Sequence, residues 1–148
     1  MIWNDIQCIC IDNNGQQGYY SYRMTQKQDL SSIYRRIKKN CCELWLNDRK
    51  QFYRWYEKQL KKQDQLCEYC HLPGDTKEHY GKWFREGRRG QRLEVDRIES
   101  KKPYSPKNCV LACYPCNNAK SDVFSYEEFL EIGKAIHRVK IRLDEPGA

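Results

Sequence analysis

Two Cys-x-x-Cys pairs, Cys67 with Cys70 and Cys113 with Cys116, constrain this chain more than any other feature. Each spacing lets two thiolates grip one tetrahedral ion, and the two pairs together suit a four-sulfur Zn2+ site. Four protein sulfurs leave no open coordination position, so the expected zinc is structural. It would staple the end of a basic helix to a knuckle far along the chain. The core needs such help: of 148 residues, 39% are hydrophobic and 32% charged. The N-terminus has no cationic region followed by an apolar one, because Asp5 and Asp12 interrupt it. Nine cysteines in such a chain point to metal in a reducing cytoplasm rather than to disulfides. The expected location is cytoplasmic. No stretch is long and apolar enough to span a bilayer.

The stretch from Leu93 to Asp122 organises the rest. A short alternating strand ends at Asp96. A basic loop follows, punctuated by Pro103 and Pro106, and then the apolar run Cys109-Val110-Leu111-Ala112. The second cysteine pair comes next, then Asn117, Asn118 and Lys120. This order predicts strand, loop, strand, knuckle, helix.

Charge points to the class of partner. From Lys82 to Lys107, nine Lys/Arg face four acids, which gives this window +5 of the chain's +7. Clustered positive charge fits phosphate partners, although a solvated basic face would look the same. Arg85, Arg88, Arg89 and Arg92 lie in or just after a glycine-punctuated loop that can follow a phosphate backbone or enter a groove. Lys101, Lys102 and Lys120 join them as candidate nucleic-acid contacts.

Upstream, Ile2, Ile6, Ile9 and Ile11 suggest a strand or two, broken at Asn13-Asn14-Gly15 and at Gly18. From Asp29 to about Leu46 the pattern is helical, with Leu30, Ile33, Tyr34 and Ile37 on one face. A second helix is expected from Asn47 or Asp48 towards Leu66, with Phe52, Trp55, Tyr56 and Leu60 as core. The last helix is the best marked. Ser125 and Glu128 form a capping box, and Phe124 and Phe129 occupy staple positions. Its stripe of Phe129, Ile132, Ile136, Val139 and Leu143 suits the core, with a dimer seam as the second reading. Two readings stay open for Cys8, Cys10, Cys41 and Cys42: a second zinc site or buried free thiols. The division expected is an N-terminal helical, DNA-contacting region at 1–66 packed on a zinc-bound core at 67–148, one compact domain overall.

A hairpin folded onto the following helix would bring Asp96 and Asn117 together. One carboxylate and one amide oxygen suit a hard ion such as Mg2+ or Mn2+, which keeps waters and binds substrate phosphate. The bland alternative is a strand-end Asp and a helix-capping Asn.

Glu94-Val95-Asp96-Arg97-Ile98, Tyr104-Ser105-Pro106-Lys107-Asn108 and Cys113-x-x-Cys116-Asn117-Asn118-x-Lys120-Ser121 together resemble the HNH, or ββα-metal, nuclease motif. The resemblance spans roughly residues 67–136, and in detail the chain is similar to the small zinc-bound restriction-type members. It implies an α+β fold, a small zinc-stabilised ββα-metal core with flanking α-helices. It implies Asp96 and Asn117 as ligands of the catalytic ion and Asn108 as the brace of the loop. Arg97 stands where the family has its general-base histidine. An arginine stays protonated and cannot take a proton from water. Arg97 is therefore read as a clamp on the scissile phosphate. The proton acceptor is sought at Tyr104, with an ionisation lowered by a nearby cation, or at His71, His79 or Tyr80. The function expected is a metal-dependent endonuclease hydrolysing phosphodiesters of double-stranded DNA, site-specific and of restriction, phage or homing type. A two-fold target invites a homodimer. The alternative is a non-catalytic zinc module that binds nucleic acid and has lost the histidine.

Overall fold

The computed structural model describes residues 6–11, 17–22, 30–39, 48–75 and 90–143. The chain divides into two compact units, Met1–Leu30 and Ser31–Ala148. The boundary drawn from the sequence, between 66 and 67, falls inside the second unit, because two helices before it pack with the core.

In the first unit, β1 (Ile6–Ile11) and β2 (Gln17–Tyr22) pair antiparallel, with Ile6 opposite Tyr22 and Cys10 opposite Gly18. Gly18, expected to break a strand, is part of β2. Asn13-Asn14-Gly15 lies outside the described residues, as do Cys41 and Cys42 and the side chains of Cys8 and Cys10.

The second unit begins with α1 (Ser31–Lys39) and α2 (Arg49–Lys62). Ile33, Tyr34 and Ile37 of α1 are buried, as their spacing predicts. The continuation towards Leu46 lies outside the described residues. Asp48 caps α2, its Oδ1 accepting from Lys50 N at 2.8 Å. Phe52 and Tyr56 are the buried face of α2, and Tyr34 meets Phe52 at 5.6 Å between ring centroids. Of the expected stripe, Phe52 and Tyr56 are core, whereas Trp55 and Leu60 are only half-buried. α2 stops at Lys62, short of the expected Leu66. Asp64 and Gln65 turn into the left-handed region (φ 49° and 64°), which a helix cannot continue through.

β3 (Glu94–Arg97) and β4 (Cys109–Ala112) form an antiparallel pair with Asp96 opposite Val110. β3 runs one residue past its expected end. α2 is fastened to this pair at two points. Tyr56 donates its hydroxyl to Leu93 O at 2.6 Å. The Gln63 side chain donates to Leu111 O at 2.7 Å and accepts from Leu111 N at 2.9 Å. α3 (Tyr114–Lys120) then packs on β3.

α4 (Tyr126–Leu143) starts as its sequence predicts. Glu128 N donates to Ser125 Oγ at 3.2 Å, and Ser125 N donates to Glu128 Oε2 at 2.9 Å. Phe124 and Phe129 meet at 5.9 Å. Phe129 is wholly buried, whereas Val139 is 56% exposed, so the apolar stripe leaves the core along α4. No described helix is long and apolar enough to cross a membrane.

Candidate metal centre and active site

Cys67 and Cys70 lie in the turn after α2, while Cys113 caps α3 and Cys116 sits in its first turn. All four are wholly buried, and their Sγ atoms lie within 4.8 Å of one another. Cys70 and Cys113 Sγ are 3.7 Å apart. Zinc–sulfur bonds of ~2.3 Å put tetrahedral sulfurs about 3.8 Å apart, so this pair is at ligating distance. The turn is held in shape by Cys67 N donating to Leu72 O and His71 N donating to Cys67 O. Four buried thiolates cannot coexist without a cation. Burial resists ionisation of Cys67, but hydrogen bonds from Cys113, Cys116 and Cys70 outweigh it and hold that thiol well below its usual range. Cys116 is driven the other way, far up, by its hydrogen bonds with Cys113, Cys67 and Cys70 and by burial. A bound metal would resolve this conflict, and the four cysteines are placed to bind one.

The second centre is built on β3. Alternation puts Glu94 and Asp96 on one face of the strand, and both are buried. α3 runs alongside. Asn117 donates from Nδ2 to Glu94 Oε2 at 3.2 Å. One turn later, Lys120 Nζ donates to Arg97 O at 2.8 Å and pairs with Asp96 Oδ2 at 3.3 Å. Tyr69, from the cysteine turn, donates its hydroxyl to the same Asp96 Oδ2 at 2.6 Å. Burial pushes the Asp96 carboxyl above the usual range, against the pull of Tyr69 and Lys120. Burial, then the facing Asp96, drives the Tyr69 phenol far up, so it stays a donor.

Lys120 is a correction. The sequence offered it as a nucleic-acid contact, but its side chain is 0% exposed. A buried ammonium requires partners, and here they are the Asp96 carboxylate and a strand carbonyl.

Asn108 is buried in the β3–β4 loop. Its Oδ1 accepts from Glu99 N at 2.9 Å, and its Nδ2 donates to Pro103 O at 3.0 Å and Glu99 O at 3.1 Å. Arg97 Nη1 donates to Lys102 O at 3.2 Å, and its guanidinium lies 4.9 Å from the Tyr104 ring centroid. Tyr104 is half-buried beside this guanidinium. Burial raises its phenol above the usual range, and the nearby Arg97 only offsets part of this.

Lys101 and Lys102 are exposed in the same loop, and Lys102 pairs with Glu99 at 2.6 Å. Arg92 Nη2 donates to Ser32 Oγ at 2.5 Å. Arg85, Arg88, Arg89, His79 and Tyr80 lie outside the described residues; His71 is exposed in the cysteine turn with φ 50°.

Three residues that the sequence reading missed belong to this centre. Glu94 could have been found, because period two puts it beside Asp96. Arg36 of α1, whose Nη2 lies 3.5 Å from Glu94 Oε2, is distant in sequence and carried no local signal. Tyr69 was hidden inside the first cysteine pair.

The β3–β4–α3 segment with both cysteine pairs is also what known proteins share with this chain. Residues 67–122 match the family described as HNH endonuclease. Among solved structures, the chain is similar to PacI, described as a rare-cutting HNH restriction endonuclease exhibiting a mechanism of DNA perturbation. The likeness has 28% identity and a TM-score of 0.57, and it covers 78% of this chain and 82% of that one. No curated protein matches. The chain is therefore an HNH-type nuclease, with its HNH endonuclease domain at residues 67–122.

Proposed function

We propose that this nuclease is a metal-dependent endonuclease that hydrolyses phosphodiester bonds of double-stranded DNA at specific sites. The observation that carries the reading is the laying of α3 along β3, with Asn117 on Glu94 and Lys120 on Asp96, beside Arg97 and Tyr104. The likeness to PacI, itself a restriction endonuclease, supports DNA as substrate and site-specificity.

Asp96 and Asn117 would hold Mg2+ or Mn2+. The donor set fits a hard ion. Asn117 Nδ2 is engaged by Glu94, and no described donor bonds its Oδ1. Both side-chain donors to Asp96 fall on Oδ2, which leaves the ligand role to Oδ1. When bound, the ion stabilises charge on a scissile phosphate and its leaving oxygen. Arg97, held through Lys102 O and the Tyr104 ring, suits a clamp on the same phosphate. Tyr104 is the proton acceptor in this reading. Asn108 keeps the loop that carries both in one shape.

The four-cysteine cluster holds zinc and is structural, which suits a reducing cytoplasm. Arg85, Arg88, Arg89, Arg92, Lys101 and Lys102 grip the phosphate backbone, with residues 1–66 adding contacts. A homodimer would match a two-fold target.

The test is incubation of the zinc-loaded protein with supercoiled and phage DNA, with and without Mg2+, beside Asp96→Ala. Discrete Mg2+-dependent fragments that vanish in Asp96→Ala are expected, and their ends would give the target. A smear would remove site-specificity. Equal cutting by Asp96→Ala would remove Asp96 from the site.

A further inference from the structure

We infer that Tyr69 is the positioning residue for Asp96, so that the cysteine turn orients the candidate catalytic carboxylate as well as stapling the fold. The inference rests on the reading of Asp96 as an ion ligand.

The hydroxyl bond is short, at 2.6 Å, and buried at both ends. A ring at this position needs no hydroxyl in order to pack. Tyr69 meets Phe129 edge-on, at 5.0 Å and 90°, and Tyr126 at 5.9 Å, contacts a phenylalanine would also make. The hydroxyl is the one part of the side chain aimed at the carboxylate.

Tyr69 is also held through its backbone. Cys67 and Cys70, two of the candidate metal-binding residues, flank it in the chain. Gly133 of α4 lies against its backbone so closely that an added Cβ would stand 2.9 Å from Tyr69 Cβ and nearer still to the carbonyl. A donor anchored this way has one place to point.

Its effect on Asp96 is geometric. A carboxylate side chain can rotate even on a paired strand, and a rotating ligand must be ordered when the ion arrives. With Tyr69 and Lys120 both on Oδ2, the group is fixed in advance. The two donors differ in what else they do. Lys120 also ties down the strand through Arg97 O, whereas Asp96 is the hydroxyl partner of Tyr69 among the described residues. Partners that orient a ligand in this way typically change metal affinity or activity about 10–100-fold when removed.

The experiment compares wild type, Tyr69→Phe, Tyr126→Phe and Asp96→Ala, all zinc-loaded. Zinc content, Tm, Mn2+ affinity by electron paramagnetic resonance, and the Mg2+ and DNA dependence of cleavage are measured on each. Tyr126 donates its hydroxyl to Glu68, so its variant removes a nearby hydroxyl without touching Asp96. For Tyr69→Phe the expected result is wild-type zinc content and Tm, Mn2+ affinity weaker by about tenfold or more, a matching rise in half-saturating Mg2+, and an unchanged KM for DNA. Tyr126→Phe should behave as wild type in all of these.

Wild-type Mn2+ binding by Tyr69→Phe would overturn the inference, as would a loss that tracks loss of zinc. If wild type bound no Mn2+, or Asp96→Ala bound it equally, the reading of Asp96 would fail and this inference with it. Should Tyr69→Phe not fold, site-specific 3-fluorotyrosine at position 69 gives a second readout. Its fluorine resonance should move on Mg2+ addition in wild type and stay still in Asp96→Ala. A resonance indifferent to Mg2+ in wild type would overturn the inference.

Discussion

Gly133 of α4 sits directly on the carbonyl of Tyr69, where no side chain larger than hydrogen fits. The atoms an added Cβ would meet include the backbone carbon and oxygen of Tyr69, which cannot swing aside as a flexible side-chain tip can. Gly133→Ala should therefore destabilise, although alanine favours helix more than glycine does by about 1 kcal/mol. Overpacking of this kind costs about 1–3 kcal/mol. The check is thermal unfolding of the zinc-loaded protein, where a lowered Tm is expected; an unchanged or raised Tm would show that α4 can slide off the cysteine turn.

Asn108 joins Glu99 N, Glu99 O and Pro103 O through one amide. Asn108→Ala should leave these loop groups without their partner, at about 1–3 kcal/mol. Hydrogen exchange at the Glu99 amide should lose its protection, and cleavage should fall with it. Retained protection would mean that the prolines alone shape this loop.

Lys120→Met separates the role read from the sequence from the role found in the fold. Removing one partner of a buried pair costs about 3–5 kcal/mol. Urea unfolding should report that loss, because Asp96 keeps its burial and loses its cation. The salt dependence of DNA binding should not change, since a wholly buried ammonium releases no phosphate counterion. A shallower salt slope with unchanged stability would restore Lys120 to the DNA interface.

Tyr104 must be ionised to accept a proton, and burial raises its phenol above the ordinary range while Arg97 pulls it back. At neutral pH only a small fraction is ionised, so the cleavage rate should climb with pH, about tenfold per pH unit below that pKa. Tyr104→Phe should abolish the climb. A pH-independent rate in wild type, or an unaltered profile in Tyr104→Phe, would move the proton acceptor elsewhere.

The parts of this molecule most legible in the sequence are those fixed by local chemistry. The Ser125–Glu128 capping box, the Asp48 cap and the two cysteine pairs each follow from spacings of a few residues. The β3–β4–α3 order was legible because Asp96, Asn108 and Asn117 lie in a motif of known spacing. What escaped depends on contacts between distant segments. Nothing near Lys120 says that it is buried, because its burial comes from β3. Nothing near Tyr69 says that its hydroxyl reaches Asp96. The end of α2 was misplaced because Asp64 and Gln65 turn left-handed while Gln63 pairs with Leu111, a choice made by tertiary contacts over helix propensity.

That pairing has a wider consequence. A sheet of two strands normally exposes unpaired backbone along both edges, an open template for another chain to join. At Leu111 the Gln63 amide both gives and takes a hydrogen bond, as a neighbouring peptide group would. A side chain thus impersonates a third strand for one residue, and it keeps that stretch of β4 closed to strand exchange between copies.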